Sequence, residues 1–402
     1  MRHFCVDCQS EYPTGFQSFC RTCGGMIDLD YALDQVELKK SANPYIRFAG
    51  LLPVEELMDR LPDAAYTPMI SAKRLGRELG MNSLYLKNET VLPTRTTKDR
   101  MAAIALAYLH ERGVRRLSAS STGNSSTSFA LGIQAHPDMH LFLFTAERFV
   151  PRVQCSNHRQ VTHIGLRNAT FVEAAEYAVV YARKNGLTPE GGFFNPGRRE
   201  GLKLAFLEAC DQIDEPIDYY VQAISSAMGV YGTYKGAKQL LQLNRIERLP
   251  RLICVQQESC APMVHAFADN SETIRPEHIV RRPTGIADAI LRGDPTKAYP
   301  RVRRIVMESG GGFVAVSEAE IREARRKVED YEGISPCFSA STAVAGLIKL
   351  ARTDGIDRDA VVMVNLTGGD RSGSSTSSDV HWFDKTPDGW APEPPARLLA
   401  SA

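Results

Sequence analysis

The chain has 402 residues, 43% of them hydrophobic and 24% charged, with a formal net charge of +1. That length exceeds one ordinary hydrophobic core, so two or more domains are expected, and the composition is that of a soluble globular protein. The near-neutral balance excludes the basic footprint of a nucleic-acid-binding or anionic-membrane-binding chain. No apolar run has the length of a membrane span, and cysteines stand where a signal peptide would need an apolar core. A cytosolic (cytoplasmic) enzyme is the expected class.

In chain order, Cys5, Cys8, Cys20 and Cys23 come first, as two C-x2-C knuckles, while the other five cysteines are scattered. Four thiols so spaced suit tetrahedral zinc, and a reducing compartment argues against reading them as disulfides. Residues 1–31 are therefore expected to form a small four-cysteine zinc ribbon, too small to bury a core of its own. A mixed segment follows to about Leu61, broken by Pro44, Pro53 and Pro62. A helix is predicted to end near Gly80, and residues 84–89 alternate as a buried strand.

From Lys98 onward, strands and helices alternate. Strands are predicted at 114–118, 140–145, 169–172, 219–224, 251–256, 313–316 and 360–365. Helices are predicted from 98, at 125–132, 150–162, 174–185, 201–212, 230–241, 317–329 and 339–351. Such alternation indicates βαβ units and parallel sheets. Residues 276–300 are loop-rich around Gly285 and are expected to lie over the active site. The Pro-rich stretch beyond Asp379 is expected to be a surface-hugging or mobile tail.

Four stretches carry chemistry. Pro93-Thr94-Arg95-Thr96-Thr97-Lys98-Asp99-Arg100 places a lysine at a helix start, where the helix dipole and Arg100 disfavour the ammonium and leave the neutral amine that a Schiff base requires. Ser121-Thr122-Gly123-Asn124-Ser125 and Ser225-Ser226-Ala227-Met228-Gly229 each lie between a strand and a helix, where free N–H groups and hydroxyls converge on anions. Thr367-Gly368-Gly369 follows the last strand of the alternation. Loops after strands of an open α/β sheet are where ligands collect.

With these residues the chain resembles the threonine synthase group of pyridoxal phosphate (PLP) enzymes, of the tryptophan-synthase-β-like fold (fold type II). The lysine motif Pro-Thr-Gly-Ser-Phe-Lys-Asp-Arg is matched at Pro93, Thr94, Lys98, Asp99 and Arg100, and Ser-Thr-Gly-Asn at Ser121, Thr122, Gly123 and Asn124. Asn-Pro-x-Arg-x-Glu-Gly-x-Lys is matched at Asn195, Pro196, Arg198, Glu200, Gly201 and Lys203, and Gly-x-Tyr-Lys-Gly at Gly232, Tyr234, Lys235 and Gly236. The ribbon's Cys23-Gly24-Gly25 and Glu332-Gly333-Ile334 agree as well.

The resemblance implies an α/β chain with two open, twisted, mainly parallel sheets flanked by helices, plus the ribbon. Its domains would be a ribbon (1–31), a linker (32–61), a large PLP-binding domain (62–95 with 195–378), a small domain (96–194) and a tail (379–402). Lys98 would hold the PLP covalently and move protons, Asn124 would contact its ring hydroxyl, Thr367 would face the ring nitrogen, and Ser225, Ser226, Ala227, Met228 and Gly229 would hold its phosphate. Ser121, Thr122 and Ser125 would bind the substrate α-carboxylate, with Arg198 and Arg95 as anion contacts. A homodimer is also implied. The expected reaction is elimination or replacement on an O-phosphorylated or otherwise O-activated amino acid, in the threonine synthase manner or by cysteate-synthase-like β-replacement. The chain departs from the pattern beside the leaving-group pocket: Arg95 and Thr97 replace Gly and Phe, Gly192-Phe193 replaces an Asn-Ser pair, and the glycine-rich phosphate cup keeps a single glycine.

Overall fold

A computed structural model describes residues 1–13, 15–63, 65–155, 159–371, 379–387 and 389–392. The strands form one three-stranded sheet and two six-stranded sheets. In the first, Arg2–Cys5 pairs antiparallel with Glu11–Tyr12 and with Ile27–Asp30, giving the expected ribbon. The larger body's main sheet runs Gly312–Val316, Arg251–Gln257, Tyr219–Ala223, Val361–Leu366, Ser83–Asn88, Met69–Ser71. Every neighbour in it is parallel except the Met69–Ser71 edge. The other runs Gly389–Pro392, Val380–Thr386, Val161–Leu166, His140–Ala146, Arg116–Ser120, Thr188–Pro189, parallel except at Gly389–Pro392.

Both sheets are covered by helices, which is why their strands read as continuous apolar runs. Phe338–Arg352 lies against the main sheet so closely that a Cβ on Gly346 would stand 2.5 Å from Val255. Lys98–Glu111 is buried from Arg100 through Leu109, so it is apolar all round rather than amphipathic. Each leucine-sized side chain buried there contributes about 1.5–3 kcal/mol. Beneath this helix a buried ionic group forms: Arg100 donates to Glu89 at 2.8 Å and pairs with Glu208, and Lys87 donates to Glu208 at 2.7 Å.

The ribbon docks through a second buried ionic group. Lys235 reaches Asp28 at 2.5 Å and also pairs with Glu200, Arg199 reaches the Ile27 carbonyl at 2.5 Å, and Tyr31 donates to Glu200 at 2.9 Å. Burial and repulsion from Glu200 and Asp28 hold the Tyr31 hydroxyl protonated.

Several expectations need correction. The helix predicted over 150–162 is a 3-10 turn at Glu147–Arg152 followed by the strand Val161–Leu166. Residues 169–172 are no strand. Thr170 and Glu173 form a capping box there and start the Phe171–Lys184 helix. The helix expected over 201–212 is two helices, Pro196–Leu202 and Leu204–Gln212. The expected tail instead supplies Val380–Thr386, which extends the second sheet beside Val161–Leu166; residues 393–402 lie outside the described ones. Among the described residues no helix is long and apolar enough to cross a membrane.

Candidate active site

Three neighbouring strands of the main sheet end side by side, and their loops build one wall of a cavity of about 180 Å³. Ser83–Asn88 leads to Lys98, Tyr219–Ala223 to the serine-rich cup, and Val361–Leu366 to Thr367. The opposite wall comes from the second sheet, where Arg116–Ser120 leads to Ser121, Thr122, Asn124 and Ser125.

Local hydrogen bonds fix the lysine turn. The Thr94 N–H and Oγ1 donate to Asp99 at 2.7 and 2.5 Å, and the Thr97 N–H donates to the Thr367 carbonyl at 2.9 Å. The Gly369 N–H closes the ring by donating to the Arg95 carbonyl at 2.9 Å, which holds Arg95 at φ 56°, a left-handed conformation that favours glycine. Lys98 then opens the helix with its amine at the cavity, and the amine has no hydrogen-bond partner or carboxylate among the described residues.

Burial, with the charge of Arg198, lowers the Lys98 pKa from 10.5 to about 8. The cation expected to do this, Arg100, is instead committed to Glu89 and Glu208. Burial also lowers Lys87 and Lys203 to about 8, but their ammoniums are tied to Glu208 and Glu200. Lys98 alone of the three lines the cavity and has no anion beside it.

The cup residues Ser225, Ser226, Ala227, Met228 and Gly229 all line the cavity at the start of the Met228–Gln242 helix. Backbone N–H groups of Met228, Gly229 and Val230 find no acceptor among the described residues, so they and the helix dipole face the cavity as an anion site. The glycine serves packing as well, since a Cβ at Gly229 would stand 2.6 Å from Gln222. Ala227 carries the turn at φ 59° in place of a glycine.

Asn124 accepts a 2.6 Å hydrogen bond from Arg371 on Oδ1, so its amide nitrogen is the end left to donate elsewhere. Ser121 is turned inward: its Oγ accepts from the Gly123 and Ser126 N–H groups at 3.1 and 2.9 Å and meets Ser126 Oγ at 2.7 Å. It caps its helix in addition to lining the cavity. Thr97 Oγ1 and Ser120 Oγ are buried in the wall with no partner.

The two expected anion contacts are less free than the motif implies. Arg198 lines the cavity, yet its guanidinium forks onto both oxygens of Glu190, which also accept from Asn195 Nδ2 at 3.0 Å and the Gly192 N–H at 3.1 Å. Its remaining nitrogen lies 3.4 Å from Ser125 Oγ. Arg95 does not line the cavity, and its side chain lies against Gly369. A larger polar recess of about 360 Å³ adjoins, sharing Asn124, Ala289, Cys337 and Ser339 with the first. Arg292 and Arg371, which stand in these walls, fall in no motif of the sequence. Only the loop-rich character of residues 276–300 pointed toward the first.

At the other end of the chain, the four ligand atoms of Cys5, Cys8, Cys20 and Cys23 lie within 4.8 Å of one another. Zn–S bonds of about 2.3 Å in a tetrahedron place sulfurs roughly 3.8 Å apart, so the cluster fits one zinc ion.

A buried amine poised near neutrality, sharing with an anion cup one cavity at the carboxyl ends of parallel strands, defines an enzyme site for a phosphorylated carbonyl cofactor. The residues fit that group: the unpartnered cup N–H groups suit its phosphate, and the free donors of Asn124, Thr97 and Ser120 suit its ring substituents. A profile of the family described as "Pyridoxal-phosphate dependent enzyme" matches residues 61–368, and the chain belongs to that family. It is 29% identical over 375 residues to a threonine synthase of Methanosarcina acetivorans, covering 90% of each chain. It is 25% identical over 384 residues to a cysteate synthase of the same organism, covering 91% of each. Among solved structures, maize serine racemase superposes with a TM-score of 0.64 over 76% of this chain and 88% of that one at 17% identity. Tomato (Solanum lycopersicum) threonine deaminase isoform 2 does so with 0.61 over 77% and 85% at 20% identity. Such identities show the fold, here fold type II, and the cofactor of the family is PLP.

Proposed function

We propose that the protein catalyses PLP-dependent elimination and replacement on an O-phosphorylated amino acid, as a threonine-synthase-like lyase that converts O-phosphohomoserine and water to threonine and phosphate. The observation that carries this reading is the pairing of an anion-free Lys98 with Thr367 at the end of the central strand. PLP, when bound, withdraws electrons from the substrate Cα, and a hydroxyl rather than a carboxylate at its ring nitrogen favours elimination over transamination.

Lys98 would hold the cofactor. Its Nζ, pulled to about pKa 8, would take the proton from the substrate Cα and return one later. A second proton leaves Cβ, the Cγ–O bond breaks with its electron pair passing to phosphate, water oxygen bonds Cβ as its proton goes to balance the released phosphate, and protons return to Cα and Cγ. Thr122, Ser125 and the start of the Asn124–Gly132 helix would orient the substrate α-carboxylate.

A second reading, β-replacement on O-phosphoserine, is favoured by the bulky Phe193 in the cavity wall, where the resembled motif has a serine, and by the cysteate synthase relatives. Incubation with O-phosphohomoserine, O-phosphoserine and O-phosphothreonine, following phosphate and amino-acid products by mass spectrometry, tests both. Threonine from the first substrate is expected. Phosphate release from O-phosphoserine alone would replace the first reading with the second, and release from none would remove both.

A further inference from the structure

Arg292 carries the one arginine fork in the Lys98 cavity whose two terminal nitrogens have no hydrogen-bond or carboxylate partner among the described residues. Arg198 is neutralised by Glu190, and Arg95 lies outside the cavity. The Arg292 guanidinium makes a single internal hydrogen bond, from Nε to the Asp294 carbonyl at 3.2 Å, and no carboxylate of the described residues lies within ion-pair distance of it. Burial lowers its pKa and the charge of Asp294 offsets only part of that, so the folded protein bears a net cost for holding a cation there.

The backbone holds Arg292 in place. The Ala289 N–H donates to Ser339 Oγ at 3.2 Å, the Ala287 N–H to Gln257 Oε1 at 2.9 Å, and the Val280 N–H to the Gly293 carbonyl at 3.0 Å. Gly293 passes so near Val280 that an added Cβ would collide with the Val280 carbonyl oxygen. A half-buried, pre-positioned, unpaired guanidinium is a receptor for an oxyanion, and its planar fork suits phosphate.

We propose that Arg292 binds the phosphate of the substrate and stabilises it as it leaves, the role that the motif alone assigns to Arg198 and Arg95. This rests on the proposed reaction for the identity of the anion. The cofactor's own phosphate is accounted for by the cup on the Met228–Gln242 helix, so the anion that Arg292 awaits belongs to the substrate.

The test uses the PLP-loaded enzyme and inorganic phosphate, measured by titration calorimetry, so that it needs no turnover. Arg292→Gln is expected to weaken phosphate binding about 10- to 100-fold, as for loss of a charge-assisted pair, with Arg292→Lys recovering part of it and the cofactor absorption unchanged in both. With whichever phosphorylated amino acid turns over, Arg292→Gln is expected to raise KM more than it lowers kcat. Wild-type enzyme that binds no phosphate, or Arg292→Gln that binds it within about twofold of wild type, would overturn the proposal. So would loss of PLP from Arg292→Gln on dialysis, which would give Arg292 to the cofactor instead. Failure of all three candidate substrates would remove the proposed reaction and leave the titration result standing.

Discussion

The two walls of the cavity differ in what their polar groups are doing. On the main-sheet wall, the Lys98 amine, the cup N–H groups and Thr97 Oγ1 have no partner among the described residues and stand ready for a ligand. On the facing wall, Ser121 is spent on its helix, and Arg198, which also lines the cavity, is spent on Glu190. Motif residues on the first wall therefore keep their polar atoms open toward the cavity, whereas on the second Ser121 and Arg198 are spent on the protein itself while Asn124 keeps its amide donor and Ser120 its hydroxyl, and Arg292, outside any motif, adds an open guanidinium. Electrostatics follows the same division: Arg198 still depresses the Lys98 pKa from across the cavity, although Glu190 holds it.

The largest effect expected from breaking this division is at Lys98. Lys98→Ala should lower turnover by about 10³-fold or more and abolish the visible absorption of the bound cofactor. Retained absorption would assign the anchor elsewhere.

Next comes the pair that makes the second wall structural. Glu190→Gln leaves the Arg198 guanidinium buried without its counter-charge and should cost about 3–5 kcal/mol in denaturant unfolding of the cofactor-free protein. A loss below about 1 kcal/mol would show that Arg198 is free to serve ligand after all.

The pH dependence of cofactor attachment sharpens the first wall. Only the neutral amine attacks the cofactor aldehyde, and because the Lys98 pKa is lowered, the neutral form grows as pH rises through about 8. The attachment rate of the cofactor-free protein should therefore rise with a midpoint near 8 and level off above it, whereas an ordinary lysine at that pH would still be under about 1% neutral. A midpoint near 10.5, the unperturbed value, would mean that neither burial nor Arg198 acts on it.

The smallest effect belongs to Arg95, which occupies a left-handed backbone position without reaching the cavity. Arg95→Gly should stabilise the protein by up to about 1 kcal/mol in thermal unfolding and change KM less than about twofold. A several-fold rise in KM would return Arg95 to the substrate.

Much of this was legible in the sequence because it was local. Strand-loop-helix punctuation announced the parallel sheets, and Lys98, the cup and Thr367 fell at strand ends, where a single segment carries the signal. The spacing of the two cysteine pairs likewise declared the ribbon. What escaped depends on partners distant in sequence. Arg100 adjoins Lys98 in the chain, but its charge is satisfied in part by Glu208, more than a hundred positions away. Residues 161–166 form a strand because His140–Ala146 and Val380–Thr386 flank them, and no local pattern encodes that pairing. Arg292 belongs to no motif because whether a guanidinium is paired is set by the carboxylates the fold brings to it, not by its sequence neighbours.

The central claim is that Lys98, among the three buried lysines with lowered pKa, is the one that carries the cofactor. Borohydride reduction of the PLP-loaded protein, followed by peptide mapping by mass spectrometry, reads it directly. The pyridoxyl mass should lie on the peptide containing Lys98 and on no other. Modification of Lys87 or Lys203 instead would contradict the account, because it would mean that an amine tied to a carboxylate outcompetes the one left free.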